Sequence, residues 1–327
     1  MDEKIDILAV IPCLNEEKHL DALLSWLSRV QKTLPMRIVV ADGGSTDESV
    51  NIVNRYHAEN ADIICLHNPQ RLQSAGINLA VQEYGESCTY LIRIDAHADY
   101  PEDFCHQLVA EIDKQNADSV TVAMNTVGIT PFQRAVAAAQ NSKLGNGGSS
   151  HRLTSGEGKW VDHGHHAIML TEAFNAVGGY NAAFSHNEDA ELDTRLRQAG
   201  YKIWLTNSTL GDYYPRSTPY ALFRQYVNYG QGRVRTLLLH RQRPRIRQCI
   251  PVGVLPAAVL ALLTPVHGIF AFPLLCWMAI CLGYGALLAK KSNDATIAMS
   301  GIAAMIMHFA WSVGFWKGVM RYGRASL

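Results

Sequence analysis

Acidic residues all but vanish from the last third of this sequence: residues 213–327 hold one, Asp294, against 13 lysines and arginines. The first 212 residues carry 28 acids against 16 bases, so the formal net charge of zero is a cancellation between two differently built regions. Paired cysteines are also missing. The seven cysteines, Cys13, Cys65, Cys88, Cys105, Cys249, Cys276 and Cys281, are scattered without a Cys-x-x-Cys. This excludes a disulfide framework and a structural zinc site and points to a reducing compartment. The start, Met-Asp-Glu-Lys, is acidic and is followed by an apolar run, Ile5 to Cys13, of only strand length, unlike a secretory signal with its basic start, so the first region is expected in the cytosol. With 48% hydrophobic and 18% charged residues, disordered, collagen-like and coiled-coil chains are excluded.

Charge of either sign is absent from Cys249 to Ala289, 41 residues, and after Lys290-Lys291-Ser-Asn-Asp294 a second uncharged stretch runs from Ala295 to Trp316. A membrane-spanning helix needs roughly 20 apolar residues. The second stretch predicts one span, and Pro265-Val-His-Gly268 offers a turn that divides the first into two short ones. Ahead of them Arg233, Arg235, Arg241, Arg243, Arg245 and Arg247 have no acid among them, which predicts a cytoplasmic face next to anionic lipid rather than nucleic acid. Lys290, Lys291, Lys317, Arg321 and Arg324 cannot all share that face if three full spans are present. A re-entrant or interfacial first segment followed by a hairpin removes the conflict.

Residues up to about 210 alternate strands and helices. Apolar runs predict strands over 5–12, 36–41, 62–66 and 90–94, with helices over 16–34, 46–58 and 72–84 between them. This is the α/β pattern of a mostly parallel, Rossmann-like sheet. The Gly- and Ser-rich stretch from Gly145 to Gly158 reads as a mobile loop.

In such a sheet, ligands sit beyond the carboxyl ends of the strands. The loop after the first strand holds Pro12, Asn15 and Glu16. The next holds Asp42-Gly43-Gly44-Ser45-Thr46-Asp47, where glycines and a helix start at Thr46 suit a nucleotide, or simply make a capped turn. Neither a Walker motif nor a Gly-x-Gly-x-x-Gly is present. The fourth strand ends at Asp95-x-His97-x-Asp99. If this segment is extended, alternate residues point the same way, and the three side chains converge on one Mn²⁺ or Mg²⁺. Consecutive residues on a strand point to opposite faces, so the Asp162-His163-Gly164-His165-His166 stretch divides its histidines between two sides.

These motifs, in this order, resemble the inverting, nucleotide-sugar-dependent glycosyltransferases of family 2. The resemblance spans Ile5 to Leu205. It includes Pro12-x-x-Asn15-Glu16-Glu17, Val40 to Asp47, Asn68 to Asn78 with Arg71, Val177-Gly178-Gly179-Tyr180-Asn181, Asn187-Glu188-Asp189 and Arg195 to Tyr201. It implies a GT-A catalytic domain followed by C-terminal membrane helices. The expected divisions are 1–212 catalytic, 213–248 basic and interfacial, and 249–327 membrane-embedded with two or three hydrophobic segments. By resemblance, Pro12, Asn15, Glu16, Asp42, Gly43, Arg71 and Asp95 bind the donor nucleotide. Asp95 and His97, a departure from the usual Asp-x-Asp, hold a divalent cation. Asp189 is the catalytic base, its proton affinity raised by Glu188. Asp162, His165, His166 and Glu188 contact the acceptor or the donor sugar. Gln231 and Arg233 partly match the Gln-x-x-Arg-Trp of processive synthases and reach the diphosphate, or else sit on an interfacial helix.

Val161-Asp162 resembles the acceptor-lining strand of the prokaryotic members that build extracellular polysaccharide, such as the succinoglycan-type glucosyltransferases, a likeness strongest over Arg93 to Pro101 and Trp160 to Tyr201. This likeness implies transfer of a hexose such as glucose, from a UDP-type donor, to a polyprenyl-diphosphate-linked glycan at the cytoplasmic face of the plasma membrane. The rivals are a processive synthase, for which the spans are few, and a non-catalytic nucleotide-sugar-binding membrane protein, which has no need of Asp189.

Overall fold

A computed structural model describes residues 5–147, 158–184, 186–244 and 246–323; most of the Gly145–Gly158 loop expectation, and Arg245, fall outside the described residues. Eight strands form one sheet: β1 (Ile7–Cys13), β2 (Met36–Asp42), β3 (Ile63–His67), β4 (Tyr90–Arg93), β5 (Ser119–Thr126), β6 (Lys159–Val161), β7 (His165–Leu170) and β8 (Ile203–Tyr213), in the order β3-β2-β1-β4-β7-β5-β8-β6. The four strands expected from the apolar runs are β1 to β4. They pair in parallel, with Ile7 opposite Met36 and Tyr90, whereas β7 enters antiparallel beside β4.

Helices α1 (Glu17–Val30), α2 (Ser49–Glu59), α3 (Gln73–Tyr84) and α4 (Phe104–Gln115) connect the parallel strands and lead on to β5. Side chains of a strand alternate between faces, so one apolar run feeds two cores. Ile7, Ala9 and Ile11 pack with Leu20, Leu24 and Leu27 of α1 and Phe104 and Leu108 of α4. Leu8 and Val10 pack on the opposite face with Ile77 and Ala80 of α3. That second core also takes Phe174 of α7 (Thr171–Ala176) and Leu192 and Leu196 of α8 (Glu188–Gln198).

The chain divides into two compact units, the first of residues 1–124 and 154–211, the second of residues 125–153 and 212–327. The second unit is helical after β8. Its segments are α9 (Pro219–Leu239), α10 (Ile246–Ala261), α11 (Phe272–Ser292) and α12 (Ser300–Tyr322), joined by α5 (Pro131–Gln140) and α6 (Lys143–Asn146) from the earlier stretch. Gly268–Ser292 and Ala295–Tyr322 are long and apolar enough to cross a membrane.

Candidate active site

The site forms where β1, β2 and β4 end, and its first two loops are sewn to each other. Asn15 adopts a left-handed φ of 57°, and its side-chain carbonyl accepts the Thr46 N–H at 2.8 Å. The Asn15 N–H donates to Ser45 Oγ at 2.8 Å, and the Glu16 N–H to Ser49 Oγ at 2.9 Å. Thr46 therefore does not open a helix. The helix starts at Ser49, and the Thr46 N–H has a partner within the protein. Asp42, 5% exposed, accepts from the Gly44 N–H at 2.9 Å and from Ser45, so its carboxylate organises the turn it belongs to. The Gly43 N–H donates to the Cys13 carbonyl at 2.8 Å, which ties this turn to the end of β1 just past Pro12. Arg71, also left-handed at φ 57°, extends its guanidinium toward Gly44, where an added Cβ would meet it at 3.6 Å.

Beyond β4 the chain turns instead of staying extended, with the Ala98 N–H donating to the Asp95 carbonyl at 3.3 Å. The turn sends Asp95 and His97 apart, which corrects the expectation that the three alternate residues converge. His97, its side chain 66% exposed, faces Glu16 Oε1 at 3.3 Å. Asp95 faces inward, to Arg93 Nε at 3.2 Å, Gln73 Nε2 at 3.3 Å and His165 Nε2 at 3.3 Å. Among the described residues, no group of three or more His, Cys, Asp or Glu side chains stands close enough to hold a metal ion.

Arg93 is the hub. Buried at 8% side-chain exposure, it reaches Asp95 with Nε and Asp189 Oδ1 with Nη1 at 2.7 Å. Tyr180 Oη donates to the same Asp189 oxygen at 2.9 Å. Tyr180 is itself clamped by Asn78, whose side chain bonds both its N–H at 2.8 Å and its carbonyl at 2.7 Å. That clamp leaves no space at Gly179, where φ is +67° and a Cβ would lie 2.6 Å from Asn78 Oδ1. Asp189 sits in the first turn of α8, where the helix N-terminus favours an anion.

Burial works against charge on both carboxylates, and the Arg93 guanidinium outweighs it. Asp95 is held far below the usual carboxylate range, and Asp189 below its ordinary value. The expectation that Glu188 raises the proton affinity of Asp189 is thus corrected: Glu188 is the one pushed up, by burial and then by the Asp189 charge.

The two histidines of β7 part as alternation requires. The pairing with β5 skips Ala167, so that His165 lies opposite Val122 and His166 opposite Thr121. His165 stands between the carboxylates, its Nδ1 3.9 Å from Asp189 Oδ2. His166, expected at the sugar, is 1% exposed and pairs with the equally buried Asp193 at 2.8 Å, which removes it from direct contact. Burial lowers the proton affinity of His166, and the Asp193 carboxylate more than restores it. Asp162, expected at the acceptor, meets Arg197 Nη2 at 3.4 Å. Gln231 and Arg233 lie on α9 in the second unit, apart from the unit that holds the residues above. Sequence reasoning missed Arg93, Tyr180 and Gln73. The signal for Arg93 was present, a charged residue inside the apolar run Tyr-Leu-Ile-Arg-Ile, two positions before Asp95.

A doubly wound sheet with carboxylates, a buried arginine and an open loop pair at its strand ends defines a GT-A glycosyltransferase. The chain belongs to glycosyl transferase family 2, whose model matches residues 8–178. It is 51% identical over 317 residues to the succinoglycan biosynthesis protein ExoA of Rhizobium meliloti (strain 1021), covering 97% of this chain and 96% of that one. It is 23% identical over 331 residues to a Methanococcus voltae enzyme, dolichyl N-acetyl-alpha-D-glucosaminyl phosphate 3-beta-D-2,3-diacetamido-2,3-dideoxy-beta-D-glucuronosyltransferase, covering 96% of this chain and 97% of that one. Among solved structures, it resembles the mannosyltransferase PcManGT of Pyrobaculum calidifontis in complex with GDP-Man and Mn²⁺. The TM-score is 0.61 at 16% identity, over 96% of this chain and 88% of that one.

Proposed function

We propose that this chain transfers a hexose, with inversion, from a nucleoside-diphosphate donor such as UDP to a lipid-linked glycan at the cytoplasmic membrane face, in exopolysaccharide or surface-glycan biosynthesis. The observation that carries the reading is the placement of Asp189. Its Oδ1 is taken by Arg93 and Tyr180, while Oδ2 has His165 Nδ1 at 3.9 Å, too long for a hydrogen bond. An ionised carboxylate with one oxygen committed and the other open is a positioned general base. It takes the proton of an acceptor hydroxyl as that oxygen bonds to the anomeric carbon and the bond from that carbon to the diphosphate breaks on the opposite side.

Asp95 sits on the other side of the same guanidinium, and Arg71, Asn15, Glu16, Asp42, Gly43 and Pro12 belong to the loops that would receive the nucleotide. His165, between the two carboxylates, is the sugar contact in this reading. A divalent cation, Mn²⁺ or Mg²⁺, fits at Asp95, which is kept ionised and offers oxygen, whereas His97 is turned away toward Glu16. Such ions are commonly held by one or two protein groups, with substrate phosphates and water completing the shell. Bound there, the cation would offset charge gathering on the departing diphosphate.

The polysaccharide and lipid-linked assignments take support from the ExoA likeness and the dolichyl-phosphate-dependent relative. The uncharged stretches after Gln248 support membrane attachment. Attachment brings the active site to a two-dimensional pool of acceptor and raises its effective concentration. The test uses membranes containing the full chain, a panel of nucleotide sugars and endogenous lipid-linked glycans, with products read by mass. Asp189→Asn should abolish transfer while nucleotide binding persists. Normal transfer by that variant removes Asp189 from the role, and chelation without effect on donor binding or transfer removes the cation.

A further inference from the structure

We propose that His166 and Asp193 are positioning residues for sugar transfer: their buried ion pair locks β7 to α8 and thereby sets the gap between His165 and the open oxygen of Asp189. This inference rests on the role proposed above for Asp189.

The pair lies behind the site and not in it. Each side chain is 1% exposed, and His166 Nε2 stands 2.8 Å from Asp193 Oδ1. Their sequence neighbours are the groups that meet the chemistry. His166 follows His165 on β7, and Asp193 comes one helical turn after Asp189 on α8, so both carboxylates project from the same side of the helix. The pair therefore cross-links the two backbone segments whose side chains flank Asp189 Oδ2.

The local structure is arranged to make this link. An unbroken strand would turn His166 to the same face as Ile168, into the core beneath α1 and α4. The extra residue at Ala167 breaks the alternation. Ala167 and Ile168 both join that core, and His166 lies opposite Thr121, whose neighbours Val120 and Val122 face the same core and leave Thr121 on the other side. On that other side α8 packs through Leu192 and Leu196.

Both members of the pair have a second anchor. Ser119 Oγ of β5 lies 3.0 Å from His166 Nδ1. The Gly164 N–H, in the turn before β7, donates to Asp193 Oδ2 at 3.2 Å. The turn passes close to β5 at this point, since a Cβ on Gly164 would stand 2.5 Å from Thr121 Oγ1.

Charge is a costly way to fill this space. Apolar residues of similar volume serve stability as well as a buried ion pair or better. What the charges add is intolerance of displacement. An apolar contact survives a slide of α8 along the sheet, whereas the same slide would leave an imidazolium and a carboxylate buried and unpaired. Arg93 and Tyr180 grip only Oδ1 of Asp189. The bearing of Oδ2 toward His165, 3.9 Å away, depends on where α8 sits against β7, and the pair sets that placement.

The test is turnover per binding site. Membranes containing the full chain carry Asp193→Asn, which keeps the shape and removes the charge, or His166→Gln, or both. Hexose transfer is measured from the panel of nucleotide sugars and divided by the number of sites titrated with UDP, with thermal unfolding in detergent alongside. Each single variant should lower kcat per UDP site by about 10- to 100-fold while donor KM and UDP affinity stay unchanged, the mark of a loss felt only in the transition state. The double variant leaves no buried charge unpaired and should regain thermal stability without regaining kcat. A wild-type kcat per site in both single variants, or its return together with stability in the double variant, makes the pair a structural contact only and overturns the proposal. Asp189→Asn is assayed in the same series. Transfer that survives Asp189→Asn overturns the reading of Asp189 and this inference with it, whereas loss there beside unchanged turnover in the pair variants overturns this inference alone.

Discussion

Arg93 is the residue whose loss should be felt on both sides of the active site. Arg93→Met keeps the length of the side chain and removes the charge, leaving Asp95 and Asp189, about one-fifth exposed each, without their shared cation. Removing one partner of a buried ion pair costs about 3–5 kcal/mol. Because both carboxylates retain some solvent, the lower end applies, about 3 kcal/mol at neutral pH. If Asp189 bears half of that, its proton affinity rises by about one pK unit, at about 1.4 kcal/mol per unit.

The sign follows from the direction of the native shifts. Carboxylates depressed in the folded state contribute stability that is present above their unfolded value and lost as pH falls through the folded value. The deficit of Arg93→Met should therefore be largest at neutral pH and narrow in acid, where the variant's carboxylates protonate. Thermal unfolding of the full chain in detergent, at neutral and acid pH, measures the first effect. The pH–rate profile of sugar transfer measures the second, with the acid limb moved up by about one unit. Arg93→Lys, which keeps the charge and loses the two-sided fork, should fall between. A loss below about 1 kcal/mol together with an unmoved acid limb would refute the role given to Arg93.

Other consequences are as direct. Asn78→Ala removes the clamp on Tyr180 and should lower transfer several-fold while leaving nucleotide affinity intact; a loss confined to nucleotide binding would contradict this placement. The Val252 carbonyl lacks a helical donor because Pro256 has no N–H, and Ser312 Oγ and Trp316 Nε1 of α12 replace it. Ser312→Ala removes one of these donors and should cost about 1–2 kcal/mol in thermal unfolding. Gly314→Ala sets a methyl against a backbone oxygen and should destabilise by about 1–3 kcal/mol, against little change for Gly253→Ala, whose Cβ meets nothing within 4 Å. His166, raised by Asp193, gives stability that is present below the ordinary histidine value and lost as pH rises through its folded value. His166→Asn should therefore flatten the alkaline side of the stability profile.

Half of the sheet was legible, because its first four strands are short apolar runs and β1 to β4 fall within a few residues of where those runs place them. The order of the loops was legible as well, since Asn15 and Asp95 sit just past β1 and β4, Asp42 closes β2 and Asp189 opens α8. Two features were not. Asp95 and His97 diverge because a turn replaces an extended segment, and two-residue spacing cannot tell these apart. The bridge from Arg93 to Asp189 spans 96 positions, and local pattern carries no information at that range.

Helix α12 shows a different blindness, because hydropathy counts what a residue is and not what it touches. Gly301, Ala303, Ala304, Ala310, Gly314 and Gly318 score as mildly apolar and lengthen the apolar stretch. Their small size is the property that matters here, since it lets the α9 and α11 backbones close on α12. A helix rich in such residues and bracketed by arginine-bearing neighbours is built to be covered by protein. Helix α11 instead turns Phe272, Leu275, Ile280 and Leu287 outward, a contiguous apolar surface that suits an interaction partner or a membrane. The one acid after residue 212, Asp294, is spent on Arg134 and on the Thr296 N–H at 2.9 Å, within the turn that opens α12.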